Sequence, residues 1–191
     1  MDDNLILTDI RPSRADAVKN RELILRTAQR LFTEQSVEAV SMTTIAQEAG
    51  VGKGTLYRHF TSKIELCEAL LDEDQRDLQQ RTLHRLAQQN EPVEDLCWFV
   101  REVMAFIERN RPFLSFEEGL SMLGHPAHFW WRQTIRALLQ KINPAIDLDY
   151  ATDVIYVMLD VRTTHFQRYG LNYTFERMLD GLETTIVKLL R

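Results

Sequence analysis

The spacing of apolar residues is the feature that most restricts the fold of this chain. Almost every apolar segment repeats at intervals of three and four residues, and alternating, strand-like segments are scarce. Such spacing places apolar side chains on one face of an α-helix, whereas a strand would need alternation at every second residue. The 191 residues are enough to bury a core. The pattern therefore predicts an all-α protein.

Helix-starting and helix-ending residues define four helices in the N-terminal part. Ser41 is a plausible N-cap of a short second helix, which Gly50 would end in a left-handed conformation. A third short helix precedes the capping box Ser62–Glu65, which predicts a fourth helix from Lys63 to about Gln89. The first helix is predicted around an apolar stripe that consists of Leu23, Ile24, Ala28, Leu31 and Phe32.

Four further helices are predicted in the remainder of the chain. One apolar stripe ends at "NRP" before Pro112, and another lies between Pro126 and Pro144. A single long helix is predicted from Tyr150 to Tyr169, and the last helix begins near Phe175. No apolar run approaches the length of a membrane span, and the first residues lack the features of a signal peptide. We expect a cytoplasmic protein without a membrane partner.

Charge is distributed unevenly along the chain. The net charge is −5, but residues 11–63 carry nine Lys/Arg and five Asp/Glu, while residues 64–191 carry fourteen and twenty. The first segment is thus +4 and the second −6, which suggests that only the first meets phosphates. Chance clustering is the alternative, since a few charges decide each sign.

The glycine-rich stretch "AGVGKGTLYRHF", residues 49–60, allows two interpretations. A phosphate-binding loop of the Walker type needs G-x-x-x-x-G-K-[ST], but Gln47 and Gly54 occupy the positions of the first glycine and the hydroxyl residue. A helix-turn-helix fits each position: Gly50 ends one helix, Gly52 caps the next, and Gly54 lets a DNA backbone approach. The second interpretation is favoured, and the first remains a remote alternative.

The segment "MTTIAQEAGVGKGTLYRHFTSKIELCEALL" resembles the DNA-binding signature of TetR-type (TetR/AcrR family) transcriptional regulators. The resemblance covers residues 20–70 and departs from the family at Gly52 and at Gln35-Ser36-Val37. It implies an N-terminal arm (1–18), a three-helix helix-turn-helix head (19–66) and a larger helical domain for ligand binding and dimerisation (67–191), with the fourth helix as the connection.

The resemblance also implies which residues meet DNA. Hydroxyl and lysine side chains position a protein on phosphates, while arginine can also read guanine in the major groove. Arg58 is the leading candidate for reading a base, whereas Tyr57 could equally be half-buried packing. The predicted DNA-binding residues are Ser41, Thr43, Thr44, Lys53, Gly54, Thr55, Tyr57, Arg58, His59 and Lys63.

No signature carries over to the C-terminal part, so its residues are guesses from chemistry. Aromatic side chains could line a pocket and acids could meet a cationic ligand, although a packed core with solvated acids is the alternative. The guessed ligand-binding residues are Trp98, Glu102, Phe106, Phe116, Trp130, Tyr156 and Asp160. Broad apolar faces on the last helices predict a homodimer interface formed by Val154, Val161, Phe175, Leu179, Leu182 and Ile186.

These observations predict a homodimeric repressor that binds a palindromic operator and is released by a small-molecule inducer. Regulators without a small ligand, nucleotide-binding proteins and helical adaptors remain alternatives. No arrangement of catalytic residues stands out, so the chain is not expected to be an enzyme. No cofactor is expected, and the pair His125 and His128 lacks the further ligands that a metal site needs.

Overall fold

The computed structural model describes residues 14–114 and 126–190, with side chains described from residues 15 and 128 of these segments. Every regular element in the two segments is helical, which confirms the predicted all-α fold. The chain divides into two compact units, Met1–Leu70 and Leu71–Arg191, called here the N-terminal and C-terminal units. The predicted arm lies largely outside the described residues, and the predicted functional limits of the domains stay predictions.

The N-terminal unit contains α1 (Arg14–Gln35), α2 (Met42–Glu48), α3 (Lys53–His59) and the start of α4 (Lys63–Leu86). Ile24, Ala28 and Phe32 of α1 are buried as predicted. Leu23 was wrongly placed in the buried stripe: its side chain is 36% exposed, and the neighbouring Leu25 is buried instead. The predicted helical spacing of α1 is correct, but its buried face includes Leu25 in place of Leu23.

The start of α4 carries most features of the predicted capping box. The hydroxyl of Ser62 accepts a hydrogen bond from the Glu65 amide at 3.2 Å. The Glu65 carboxylate returns to Thr61, from which it accepts the backbone N–H at 2.6 Å and the hydroxyl at 2.9 Å. These bonds lower the pKa of Glu65. The helix ends at Leu86, three residues before the predicted end, and Gln89 takes a φ of 56°.

The C-terminal unit contains the rest of α4, α5 (Pro92–Leu114), α6 (Pro126–Ile142), α7 (Leu148–Met158), α8 (Val161–His165) and α9 (Phe175–Leu189). A π-helical turn, Phe166–Gly170, follows α8 directly. The core lies where α5, α6, α7 and α9 meet; its most completely buried members include Phe99, Val103, Trp131, Ile135, Ile155 and Ile186.

Two predicted helix ends were wrong. Helix α5 continues through Pro112 to Leu114. Proline only removes one backbone hydrogen bond and crowds the preceding turn. The buried ring of Phe113, 2% exposed, offsets that loss by packing into the core.

The long helix predicted from Tyr150 to Tyr169 is interrupted after Met158. The cause is Asp160, whose carboxylate accepts the backbone N–H groups of Arg162 at 2.9 Å and Thr163 at 3.3 Å. An aspartate that satisfies the first amides of a new helix competes with continuation of the previous one. Periodicity alone does not show such a side-chain cap, because α7 and α8 share the same apolar spacing.

Candidate nucleic-acid interface and ligand cavities

The turn between α2 and α3 has a defined hydrogen-bond pattern. The Val51 amide donates to the Ala46 carbonyl at 3.0 Å, and the Gly50 amide donates to the Gln47 carbonyl at 3.1 Å. Gly50 has a φ of 65°, so this is a Schellman motif with glycine in the left-handed position. At the other end of α2, Ser41 accepts the Thr44 amide at 3.0 Å. Both predicted helix boundaries are confirmed.

Burial of two residues fixes the rotation of α3. Leu56 is fully buried and Phe60 is 2% exposed, as predicted for the core-facing side. The opposite side is open to solvent: Lys53, Gly54 and Arg58 are exposed, and the Tyr57 ring is 49% exposed. Of the alternatives for Tyr57, the accessible one agrees with the structure. This exposed side of α3 is called the α3 face.

The electrostatics of the α3 face favour an anion. Glu48, the acid nearest in sequence, pairs with Arg30 of α1 at 2.7 Å. Among residues 15–114 and 128–190, neither Lys53 nor Arg58 forms an ion pair with a carboxylate. The guanidinium of Arg58 instead donates to the Thr55 hydroxyl at 3.2 Å, which holds its side chain along the helix. The face therefore presents cations whose charge is not internally neutralised.

Gly54 has no structural requirement within its own unit. A Cβ atom built there would meet nothing within 4 Å, and its φ is not in the left-handed region. Glycine in a helix is less stable than alanine, by up to about 1 kcal/mol. The absence of a side chain thus leaves open backbone between two exposed cations.

The other predicted DNA-binding residues have mixed environments. Ser41 and Thr44 are linked through their hydroxyls at 2.8 Å, so both contribute to the cap of α2. Thr43 and His59 are half-buried. The ammonium group of Lys63 donates to the carbonyls of Val37 at 2.7 Å and Glu38 at 3.1 Å. A phosphate contact by Lys63 stays a prediction. In the structure, its ammonium group donates hydrogen bonds to backbone carbonyls.

Two of the guessed ligand-binding residues, Trp98 and Glu102, line one cavity between α4 and α5, which the other described ones do not join. Phe106 and Tyr156 belong to the core, whereas Trp98 lies under the guanidinium of Arg85, 5.2 Å from its ring centre. Trp130 packs edge-on against Phe99. Phe116 lies outside the described residues.

The two guessed acids are engaged elsewhere. Glu102 pairs with Arg81, and Asp160 caps α8. Both carboxylates are already satisfied by groups of the chain, which weakens the idea that they meet a cationic ligand.

The predicted interface residues divide into two groups. Leu179, Leu182 and Ile186 lie in the core of their own unit, with 9%, 8% and 0% exposure, because the apolar face of α9 packs inward. The structure therefore assigns these three to the core rather than to a partner surface. Val154, Val161 and Phe175 are half-buried and retain accessible area.

Sequence reasoning missed a buried polar cluster in the C-terminal unit. Gln75 of α4 accepts the indole N–H of Trp131 at 3.2 Å, and its own amide Nε2 is buried with no hydrogen-bond partner among the described residues. The Trp131 ring contacts His128, whose Nδ1 bonds to the hydroxyl of Tyr156. Burial raises the pKa of Tyr156 to about 12. These residues come from three helices, and no spacing in the sequence relates them.

In addition to the open cavity of about 520 Å³ between α4 and α5, two further cavities are described within the C-terminal unit. The first, of about 320 Å³, opens between α6 and α7 above His128 and Tyr156, with Phe129 and Val157 at its sides. The second, of about 210 Å³, is lined by Met104, Met158 and Met178 together with Arg177 and Gly181. These three methionines are widely separated in sequence, so no spacing predicts that they meet.

The described residues contain neither a metal-binding cluster nor a membrane-spanning helix. No group of three His, Cys, Asp or Glu side chains there could hold a metal ion. Of the histidine pair considered above, His125 lies outside those residues and His128 bonds to Tyr156. None of the described helices is long and apolar enough to cross a membrane.

Comparison with known proteins gives the helix-turn-helix an identity. Residues 24–70 match the family model "Bacterial regulatory proteins, tetR family". A transcriptional regulator of the HTH type from Staphylococcus aureus is 49% identical over 61 residues. That match covers 32% of this chain and 33% of the relative, so the chain aligns with about a third of the length of its curated relatives.

Solved structures share the fold over most of the chain. A putative transcriptional regulator from Saccharomonospora viridis, in complex with choline, has a TM-score of 0.73 at 21% identity, covering 88% of this chain and 96% of its own. A TetR/AcrR-family regulator from Thermobifida fusca has a TM-score of 0.73 at 18% identity, covering 88% and 96%.

NalD of Pseudomonas aeruginosa, the secondary repressor of the MexAB-OprM multidrug efflux pump, has a TM-score of 0.66 at 20% identity, covering 91% and 97%. At these identities the likeness concerns the fold. The sequence match identifies the helix-turn-helix, and the family consists of regulators, not enzymes. Residues 24–70 are therefore similar in sequence to the tetR family of bacterial regulatory proteins, and the chain shares the helical fold of these solved structures.

Proposed function

We propose that the chain is a sequence-specific repressor that binds a palindromic operator as a homodimer and is released by a small molecule. The observation that carries the DNA-binding part is the α3 face. Lys53 and Arg58 flank the open backbone of Gly54 without carboxylate partners among the described residues. Two copies of this face would contact successive major grooves of a two-fold symmetric site.

Different roles follow for the two cations. Lys53 lies in the first turn of α3, where a lysine and the helix amides favour a phosphate. Arg58 lies one turn further along the exposed side, where a guanidinium can donate two hydrogen bonds to guanine. Ser41, Thr43, Thr44, Thr55, Tyr57, His59 and Lys63 complete the proposed DNA-binding set.

Support for a homodimer comes from exposed apolar side chains on α7. Tyr150 is 71% exposed and Val157 is 57% exposed, while Val154 between them is half-buried. These residues follow helical spacing and continue to Val161 at the start of α8. Burial of this stripe against a second copy would remove apolar surface from water.

Support for a small-molecule ligand comes from the interior of the C-terminal unit. The cavity above His128 and Tyr156, the cavity lined by three methionines, and the Nε2 of Gln75, which has no hydrogen-bond partner among the described residues, offer places where a ligand would gain contacts. The repressor NalD and the choline-bound regulator described above have related folds. We propose that ligand binding alters α4, which runs from one unit into the other, and so changes the geometry of the two DNA-binding faces.

The test begins with selection of duplexes from a randomised double-stranded DNA library by the purified protein. Enrichment of a palindrome, with affinity that falls steeply as salt rises, is the expected result. The double variant Lys53→Ala/Arg58→Ala is expected to lose enrichment. Gln133→Ala, an exposed change on α6, serves as the control for handling and folding.

The alternatives give other outcomes in the same assay. Recovery of no palindrome would refute the regulator, and unchanged enrichment by the double variant would favour the helical adaptor. Retained DNA binding in the presence of every tested small molecule would favour a regulator without a ligand. ATP binding by residues 50–55 would support the nucleotide-binding alternative.

A further inference from the structure

A cavity between α5, α7, the π-helical turn and α9 is lined by apolar side chains together with Gln167, Thr185 and one cation, Arg177. It measures about 210 Å³, and three of the chain's six methionines, Met104, Met158 and Met178, line it. Met104 is 2% exposed and lies at the buried end. Methionine side chains are unbranched and polarisable, so they adapt to flexible apolar ligands. We call this the methionine cavity.

Gly181 keeps space open in the wall of the methionine cavity. It lies in the interior of α9, where alanine would be more stable by about 1 kcal/mol. A Cβ atom built there would meet nothing within 4 Å, so packing within the unit does not require glycine. A side chain at this position would extend over or into the cavity.

Among the described residues that line the methionine cavity, Arg177 is the single charged one. Its guanidinium lies over the ring of Tyr173, 4.3 Å from the ring centre, which holds the side chain in place. Within the described segments it forms no ion pair, although Glu176 and Asp180 are near in sequence on α9. A held arginine without a carboxylate partner is suited to bind an anionic head group.

We propose that the methionine cavity binds a medium-chain amphiphilic anion, with its apolar tail among the methionines and its carboxylate on Arg177. The volume corresponds to about seven groups the size of a water molecule at about 30 Å³ each, and a methylene group is similar in size. Octanoate, with seven carbons beyond the carboxylate, matches this capacity. The proposed binding site is argued from the methionine cavity itself and does not depend on DNA binding. Only a role for the anion as an inducer rests on the proposed function.

The test uses the full chain labelled with ¹³C at its methionine methyl groups, titrated with octanoate in the absence of DNA. The resonances of Met104, Met158 and Met178 are expected to shift together and saturate, while Met42 in the N-terminal unit stays unchanged. The control ligands, 1-octanol and octyltrimethylammonium, also have an eight-carbon chain but carry no negative charge. We expect each to bind at least about tenfold more weakly than octanoate.

Two variants test the two halves of the site. Arg177→Gln is expected to weaken octanoate binding by about tenfold and to abolish the preference over 1-octanol. Gly181→Leu is expected to block the cavity for all three ligands, whereas Gly181→Ala is expected to retain binding. Circular dichroism and thermal unfolding establish that each variant is folded.

Specific results would overturn the proposal. Equal binding of octanoate and 1-octanol, unaffected by Arg177→Gln, would mean that no anion is recognised. Methionine shifts that follow protein dilution and not octanoate would mean that a second copy of the chain occupies the cavity. DNA selection by the unlabelled protein is independent of the octanoate titration. A negative titration would therefore not refute the proposed regulator, and a negative DNA selection would not refute the anion-binding site.

Discussion

A Gly54→Ala substitution adds one methyl group to the exposed first turn of α3. Because a Cβ atom there meets nothing within 4 Å, the folded chain accepts it without a clash. Alanine also favours a helix over glycine, so the free energy of unfolding should rise by up to about 1 kcal/mol. Urea denaturation, followed by circular dichroism, measures this change.

DNA binding by the same variant should weaken. If a DNA backbone approaches Gly54 closely, an added methyl group acts like overpacking and costs about 1–3 kcal/mol. This corresponds to an affinity lower by about 5- to 150-fold. Fluorescence anisotropy with the selected duplex measures the affinity at fixed salt.

Gly181→Ala is the matched control, since it makes the same chemical change in an exposed helix position where a Cβ atom is also unopposed. We expect it to raise stability without weakening DNA binding. A Gly54→Ala protein that is more stable and binds DNA as well as the original would refute the proposed close approach. A loss of stability instead would refute the structural argument itself.

Three other outcomes follow from the described contacts. Lys53→Ala should weaken binding to all duplexes and lower the slope of log affinity against log salt by about one. Arg58→Ala should cost about 1–3 kcal/mol of binding free energy and relax the choice of one base pair. Fluorescence anisotropy at several salt concentrations separates the two variants, and equal salt slopes would contradict the assignment. Because Ser36 has a φ of 86°, Ser36→Gly should raise the free energy of unfolding, measured by urea denaturation, by about 1 kcal/mol. If Ser36→Gly is no more stable than Ser36→Ala, the backbone at Ser36 is not strained. Burial raises the pKa of Tyr156 to about 12 from 10.0, so the neutral phenol adds stability below pH 10 that is lost as the pH rises towards 12. Between pH 10 and 12, the free energy of unfolding of Tyr156→Phe should fall less than that of the original protein, by about 1 kcal/mol per pH unit. Parallel curves of unfolding free energy against pH for the two proteins would contradict this prediction.

Local signals predicted the N-terminal unit well. Ser41, Gly50 and Ser62 each act on backbone groups within a few residues, so their effects can be read from the sequence. Ser36 belongs to the segment Gln35-Ser36-Val37, which departs from the resemblance to TetR-type regulators, and it takes a left-handed φ of 86°. The departure noted in the sequence thus coincides with an unusual backbone conformation.

The C-terminal unit was predicted less well because its chemistry depends on distant contacts. The sequence suggests Asp160 as an acid that could meet a ligand, whereas in the structure its carboxylate caps α8, a helix that periodicity does not separate from α7. Gln75 and Trp131 are 56 positions apart, and nothing in the spacing of either helix indicates that they meet. The α9 face was wide enough for two partners, and only packing shows that Leu182 and Ile186 point to the core.

The bonds of Lys63 have a mechanical consequence. Its ammonium group ties the first residue of α4 to the carbonyls of Val37 and Glu38, three to four positions before Ser41, the cap of α2. A twist of α4 about its axis would therefore pull on the segment that leads into the helix-turn-helix. Through these two hydrogen bonds, Lys63 couples a rotation of α4 to the position of the residues that precede α2. A shorter side chain at this position would leave α4 free to turn while α2 stays still.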